Sequence, residues 1–134
     1  MAKLSFKRYS VEIEADYGTF IIPFDDAGFL PRYYDAVDKC GKYIESAKER
    51  LKETGNENPL SLLGLNLDVG KYFVEQIDYA FGEGTCAKVF GDITPTPDLI
   101  QDFLEAMAPY FEEYKNKRKE FTSKYSANRV GSTE

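Results

Sequence analysis

Apolar and polar residues alternate near the start of the chain, then settle into a helical rhythm from about residue 29. Between Leu4 and Glu14, Leu4 and Phe6 fall on one side and Tyr9, Val11 and Ile13 on the other, with a phase change near Lys7 and Arg8. Alternation predicts a half-buried strand, and the phase change predicts a bulge. Ala15 to Gly18 reads as a turn, and Thr19 to Phe24 as a second, β-branched and aromatic strand. Pro23 has no N–H to give a ladder, so this strand ends there or lies at an edge. The resulting hairpin is expected to pack on helices or on another chain, because a lone hairpin is marginal in water. On it, Phe6, Val11, Ile13 and Ile21 are assigned to the core, and Phe20 and Ile22 are candidate contacts for a partner.

Helix one is expected from Phe29 or Pro31 to about Thr54. Leu30, Tyr33, Tyr34, Val37, Cys40, Ile44, Ala47 and Leu51 recur at steps of three and four. Asp35 and Lys39, and Asp38 and Lys42, form i,i+4 pairs on the other face. Some 24 residues make a rod of about 36 Å. Thr54 to Pro59 breaks the helix and reads as an exposed loop. Leu60, Leu62, Leu63, Leu65 and Leu67 then crowd into eight residues, read as a short plug tucked into the core, with Leu63 a core residue. Asp68 is placed as the cap of helix two, Val69 to Phe81.

The stretch from Gly82 to Asp98 is dense in helix-boundary signals. Gly82 and Gly84 follow an apolar helical run, where a left-handed C-terminal residue is wanted. Thr85 is expected to cap a short helix from Cys86 to Phe90, and Gly91 to end it. Pro95 sits in a rigid turn, Thr96 is a second N-cap, and Pro97 fits the first helical position. Asp98 places a carboxylate where the helix dipole favours it. The last helix runs from Pro97 towards Tyr125, with a kink expected upstream of Pro109 and a flexible tail over 126–134. The pattern as a whole is α+β: a mostly helical single domain over 1–125, with a hairpin over 1–24 and about four helices over 29–125.

Composition narrows what such a domain does. The chain has 134 residues, 43% of them apolar, 30% charged, with a net charge of −6. The acidic balance argues against a nucleic-acid-binding face. No apolar run is long enough for a membrane span and no signal peptide is evident, so a cytosolic protein without membrane contact is expected. There is no histidine, which removes Ser-His-Asp, Cys-His and histidine-zinc chemistries. Cys40 and Cys86 read as buried thiols in a reducing compartment. Ten tyrosines and ten phenylalanines exceed what a core of this size needs. Tyr33, Tyr34, Tyr110 and Tyr114 are therefore candidate partner-facing rings, since tyrosine tolerates both water and burial.

Candidate chemistry is sparse. Gly82-Glu83-Gly84-Thr85 resembles a phosphate cradle only loosely: it lacks the Lys-Ser/Thr end of a P-loop and has no βαβ unit around it. Asp92, Asp98, Asp102 and Glu105 could gather a hard cation, but helix-dipole placement and an exposed face account for them more simply. No catalytic residue, metal or cofactor is assigned.

Three blocks carry a family resemblance: Leu4-Ser5-Phe6 with Val11-Glu12-Ile13; Tyr33-Tyr34-Asp35-Ala36; and Phe81-Gly82-Glu83-Gly84-Thr85-Cys86 with Val89-Phe90-Gly91-Asp92 and Pro95 before a long helix. In this order of elements the chain resembles the tail assembly chaperones encoded in the tail modules of phages and prophages of Gram-positive bacteria. The resemblance implies a protein of the host cytoplasm that coats the tape-measure protein, keeps its hydrophobic helices soluble and releases it as tail-tube subunits polymerise. It further implies self-association into open helical arrays, work without nucleotide or metal, and often a longer frameshifted form. Two other classes stand beside it: a structural virion component such as a tail or head–tail completion protein, and a small nucleotide hydrolase using Glu45, Glu49, Glu75 and Asp78.

Overall fold

The computed structural model describes residues 1–55 and 58–132. The α+β class expected from the pattern is the one the chain adopts. A hairpin of β1 (Val11–Ala15) and β2 (Gly18–Ile22) precedes helices α1 (Phe29–Thr54), α2 (Pro59–Phe81), α3 (Thr85–Phe90) and α4 (Pro97–Ser132). The backbone divides into two compact units, Met1–Gln101 and Asp102–Glu134.

In the first unit the hairpin closes over Asp16 and Tyr17, with Ala15 opposite Gly18 and Val11 opposite Ile22. Phe20 and Ile22 point inward and are buried, while Ile21 is 53% exposed. This reverses the assignment from sequence. Phe20-Ile21-Ile22 is an unbroken apolar run, so alternation cannot say which side faces the core, and a one-residue slip exchanges the faces. Phe6, also assigned to the core, is 64% exposed. The strand expected from Leu4 begins only at Val11. Just before it, the N–H groups of Tyr9 and Ser10 donate to the Asp25 carboxylate at 3.0 Å each, and Ser10 Oγ accepts from the Asp25 N–H at 3.2 Å.

The hairpin is held to the helices by rings. Phe29 is fully buried, which is worth about 1.5–3 kcal/mol. Its ring lies 5.0 Å from Phe81 and 5.9 Å from Phe24. Phe81 also meets Phe20 at 5.9 Å and Tyr33 at 5.8 Å. The start of α1 is thereby fixed to the end of α2, and Arg32 Nε adds a bond to the Ala80 carbonyl at 3.3 Å. The two helices run antiparallel, with Tyr43 and Tyr72 stacked at 4.3 Å midway along.

α2 starts ten residues earlier than the sequence suggested. Asn58 Oδ1 accepts from the Ser61 N–H at 2.9 Å, and Pro59 takes the first helical position, a cap worth about 1 kcal/mol. Asp68 is therefore a mid-helix residue, and there is no leucine plug. Of the expected loop over 54–59, Asn56 and Glu57 lie outside the described residues.

Gly70 is buried in α2, where the Thr94–Pro95 turn crosses it. A Cβ there would come within 2.5 Å of the Pro95 carbonyl oxygen. Gly91, which ends α3 with φ 78°, lies under the Tyr17 ring, 2.9 Å from where its Cβ would be. α4 opens as expected: Thr96 Oγ1 accepts from the Leu99 N–H at 3.3 Å and Pro97 follows. It passes through Pro109 and continues to Ser132, so residues 126–132, expected as a flexible tail, are helical. Thr133 and Glu134 lie outside the described residues. In the second unit, Phe103 and Met107 are buried, and Tyr110, Phe111 and Tyr114 are half-buried at helical spacing.

Gly70→Ala is expected to lower stability by about 1–3 kcal/mol, because neither a backbone carbonyl nor a packed turn gives way easily. Gly64→Ala, with nothing within 4 Å of the new Cβ, should instead add up to about 1 kcal/mol of helix propensity. Urea unfolding of the pair checks the close approach. The Tyr9 and Ser10 N–H groups, chiefly, hold the Asp25 carboxyl below its ordinary value of 3.8. A carboxylate depressed in the fold stabilises above its unfolded value and stops doing so as pH falls through the folded one. The Tyr9 and Ser10 amide signals should therefore titrate together in NMR spectra with a midpoint below 3.8; a midpoint at or above it would refute the clamp.

Candidate interaction surface

The first half of α2 carries four leucines that the first unit leaves largely uncovered. Leu60 is 80% exposed and Leu63 64%, while Leu62 and Leu67 are nearly half exposed. Leu60, Leu63 and Leu67 recur at i, i+3 and i+7, within about 60° on the helix. They point away from the buried side, which farther along is Val69, Phe73 and Ile77. Contiguous exposed leucines of this kind mark interaction surfaces rather than chance exposure.

Beside the stripe lies an open groove of about 330 Å³, lined by Ala47, Arg50 and Leu51 of α1 and Ser61, Gly64, Leu65 and Asp68 of α2. Its walls are apolar at Ala47, Leu51 and Leu65, and it carries one charge of each sign at Arg50 and Asp68. Gly64 separates groove from stripe, and the space around it is open, so a second backbone can come close. An apolar helix face with a polar margin fits such a surface.

The residues singled out from sequence are distributed differently. Phe20, Ile22 and Tyr33 are buried in the ring cluster and are thus internal contacts instead of partner-facing ones. Each extends from its element towards Phe81 or the core side of the sheet, where its burial outweighs the polarity of a tyrosine hydroxyl. Tyr34 is 61% exposed, its ring edge against Tyr33 at 5.8 Å. Tyr110 and Tyr114 are half-buried in the second unit. The leucines were visible in the sequence but read as core. The signal that would have placed them is Asn58-Pro59, a cap and first-position pair that starts a helix there.

The boundary motif is structural throughout. Gly82 and Gly84 take φ of 129° and 87°. Thr85 is inside α3, not its cap: its hydroxyl donates to the Gly82 carbonyl at 2.8 Å. The cap comes from α2, where Asp78 Oδ1 accepts from the Cys86 N–H at 2.8 Å. A carboxylate at this helix start disfavours an anion, which removes the support for a phosphate cradle. Phe90 and Pro95 are buried, and Pro97 opens α4. Asp78 is thus occupied in capping, while Glu45, Glu49 and Glu75 are exposed. Among the described residues, no group of three potential metal ligands converges and no helix is long and apolar enough to cross a membrane.

Hairpin, helices and uncovered leucine face define a small α+β domain with an apolar helix surface. The chain belongs to the DUF6673 family, a family of unknown function, whose model matches residues 19–133. The match begins at the second residue of β2 and takes in α1 to α4. No curated protein and no solved structure matches it.

Burial pushes the Cys40 thiol up to about 11. It pushes Cys86 further, with the nearby Asp78 carboxylate adding to it. At pH 8 iodoacetamide should label neither cysteine at an appreciable rate in the native protein and both in urea. An acid whose value is raised in the fold costs stability once the unfolded thiol ionises, so stability should decline above about pH 8.5.

Proposed function

We propose that the protein is a binding chaperone of phage tail assembly. It holds apolar helical segments of the tape-measure protein against the first half of α2 and self-associates while doing so, in the host cytoplasm. The observation that carries this is the Leu60–Leu63–Leu67 stripe beside the Ala47–Leu51–Leu65 groove. A client whose helices are apolar along one side is insoluble alone, and a leucine face on a well-capped helix gives that side somewhere to go. The order of elements that resembles tail assembly chaperones supports the same reading. Tyr34, exposed on α1, supplies an aromatic ring of the kind that anchors protein contacts. No nucleotide, metal or nucleic acid is needed for this work, and the tail-tube protein is the natural second partner.

Co-expression with tape-measure fragments tests the proposal. The wild-type chain should keep such fragments soluble and be retained with them on a column. The triple variant Leu60→Ser, Leu63→Ser, Leu67→Ser should lose retention. Its unfolding midpoint should stay close to wild type, since exposed substitutions generally stay within about 0.5 kcal/mol each. Wild-type chain that neither solubilises nor retains the fragments sinks the reading; a triple variant that binds as well as wild type moves the client to another surface.

A further inference from the structure

We propose that two copies of this chain form a closed dimer by laying α4 against α4 antiparallel, so that the acidic half of each helix meets the basic half of the other. This deepens the self-association in the function proposed above and rests on that reading, but residues of the second unit carry it.

Charge is divided along this helix. From Asp102 to Tyr114 it carries four carboxylates, Asp102, Glu105, Glu112 and Glu113, and no cation. From Lys115 to Ser132 it carries six cations and one carboxylate, Glu120. Burial divides at the same place. Phe103 and Met107 are buried and Tyr110 and Tyr114 half-buried, whereas every side chain from 115 to 123 is exposed, Phe121 to 56%. A helical stretch with nothing packed on it is marginal in water, so a partner that covers this one also stabilises it.

One stripe joins the two halves. Glu105, Ala108, Glu112, Lys115, Lys119 and Thr122 follow one another at steps of three and four, which places them on one side of the helix. All six are exposed. The stripe is centred about 140° round the helix from Phe103, Met107, Tyr110 and Tyr114, so a second helix can lie along it without displacing the apolar side. Lys117 is paired with Glu113 at 3.2 Å. Glu112, Lys115, Arg118 and Lys119 make no ion pair among the described residues.

The stripe is complementary to itself when reversed. In the antiparallel register that sets Glu112 opposite Lys115 of the second copy, Ala108 meets Lys119 and Glu105 meets Thr122. Every position of the stripe then faces another position of the stripe. The two-fold axis is level with Glu113 and Tyr114, so each contact occurs twice. Lys119 of the second copy reaches over the small Ala108 between two carboxylates, Glu105 and Glu112, that stand about one turn to either side. Beside the stripe, the half-buried Phe111 comes next to Arg118 of the second copy, a cation against an aromatic ring. A parallel pair in register would instead set acid on acid and base on base. The antiparallel contact uses the same surface on both copies and closes at two subunits.

Light scattering behind size exclusion, at low salt and over a concentration series, tests this. The full chain should approach twice the 15.3 kDa chain mass, and high salt should weaken the pair. Glu112→Lys turns both Glu112–Lys115 contacts into like-charge pairs and should weaken the dimer about tenfold; Lys115→Glu should do the same. The double variant Glu112→Lys, Lys115→Glu has opposite charges again and should restore the dimer. Circular dichroism should not change in any of the three, since both positions are exposed. A single-chain mass throughout, a mass that keeps climbing past two chains, single variants that dimerise as well as wild type, or a double variant that stays monomeric would overturn the dimer. Tape-measure retention, scored on the same samples, separates the proposals: the leucine variant loses the client while keeping the dimer, and the single charge variants do the reverse. Charge variants that lose the client from a chain that is monomeric throughout would give this stripe to the client instead of a second copy.

Discussion

The packing of Phe29 against Phe81 is the contact on which the first unit depends. It joins the first residue of α1 to the last residue of α2, and the same two rings gather Phe20, Phe24 and Tyr33. Edge-to-face pairs of this kind add about 0.5–1.5 kcal/mol beyond the area they bury. A two-stranded hairpin has little stability of its own; here it survives because β2 delivers Phe20 and Ile22 into that cluster. The cluster also sets the geometry at its end of the helical pair, where Arg32 ties α1 to both Asp26 and the Ala80 carbonyl. The opposite end of the α1–α2 pair is arranged differently. There Ala47, Leu51 and Leu65 line an open groove, and the leucines beyond it face outward. One end of the pair is consumed by the fold and the other is left for contact.

The sequence made the helices legible wherever a boundary has its own chemistry. Thr96-Pro97, Gly91 and the i,i+4 pairs Asp35–Lys39 and Asp38–Lys42 all appear as read. Legibility stopped where position depends on a partner distant in sequence. Nothing local in Phe20-Ile21-Ile22 tells which residues face in; Phe81, sixty-one residues after Phe20, decides it. Nothing around Thr85 shows that its helix is capped by Asp78 from the helix before. Gly70 is silent too: a glycine inside a helical pattern costs stability on its own, and its purpose appears only when the Thr94–Pro95 turn is seen lying on it.

The candidate surface was misread for a related reason. Five leucines in eight residues suggest burial because burial is their usual fate. Their spacing also fits a helix with an apolar stripe on the side away from its core, and spacing alone does not say which side the rest of the chain will cover. The tyrosines misled in the opposite direction. Tyr33 is amphipathic and was placed at a contact surface, yet the cluster takes its ring, and burial moves its hydroxyl pKa upward. Hydrophobicity ranks residues by tendency, whereas exposure at any one position follows from what arrives to pack against it.

The polar groups of the first unit lead to the same division of labour. Asp25 accepts from Tyr9 and Ser10, Asp26 from Gly28 and Arg32, Asp78 from Cys86, and Asn58 from Ser61. Each is a side chain that in another setting could serve a substrate or an ion, and each is committed here to a backbone N–H at a turn, a helix start or the root of the N-terminal segment. Such bonds hold a fold without adding a reactive centre. What these groups leave uncovered in the first unit is chiefly apolar, the leucine stripe on the first half of α2.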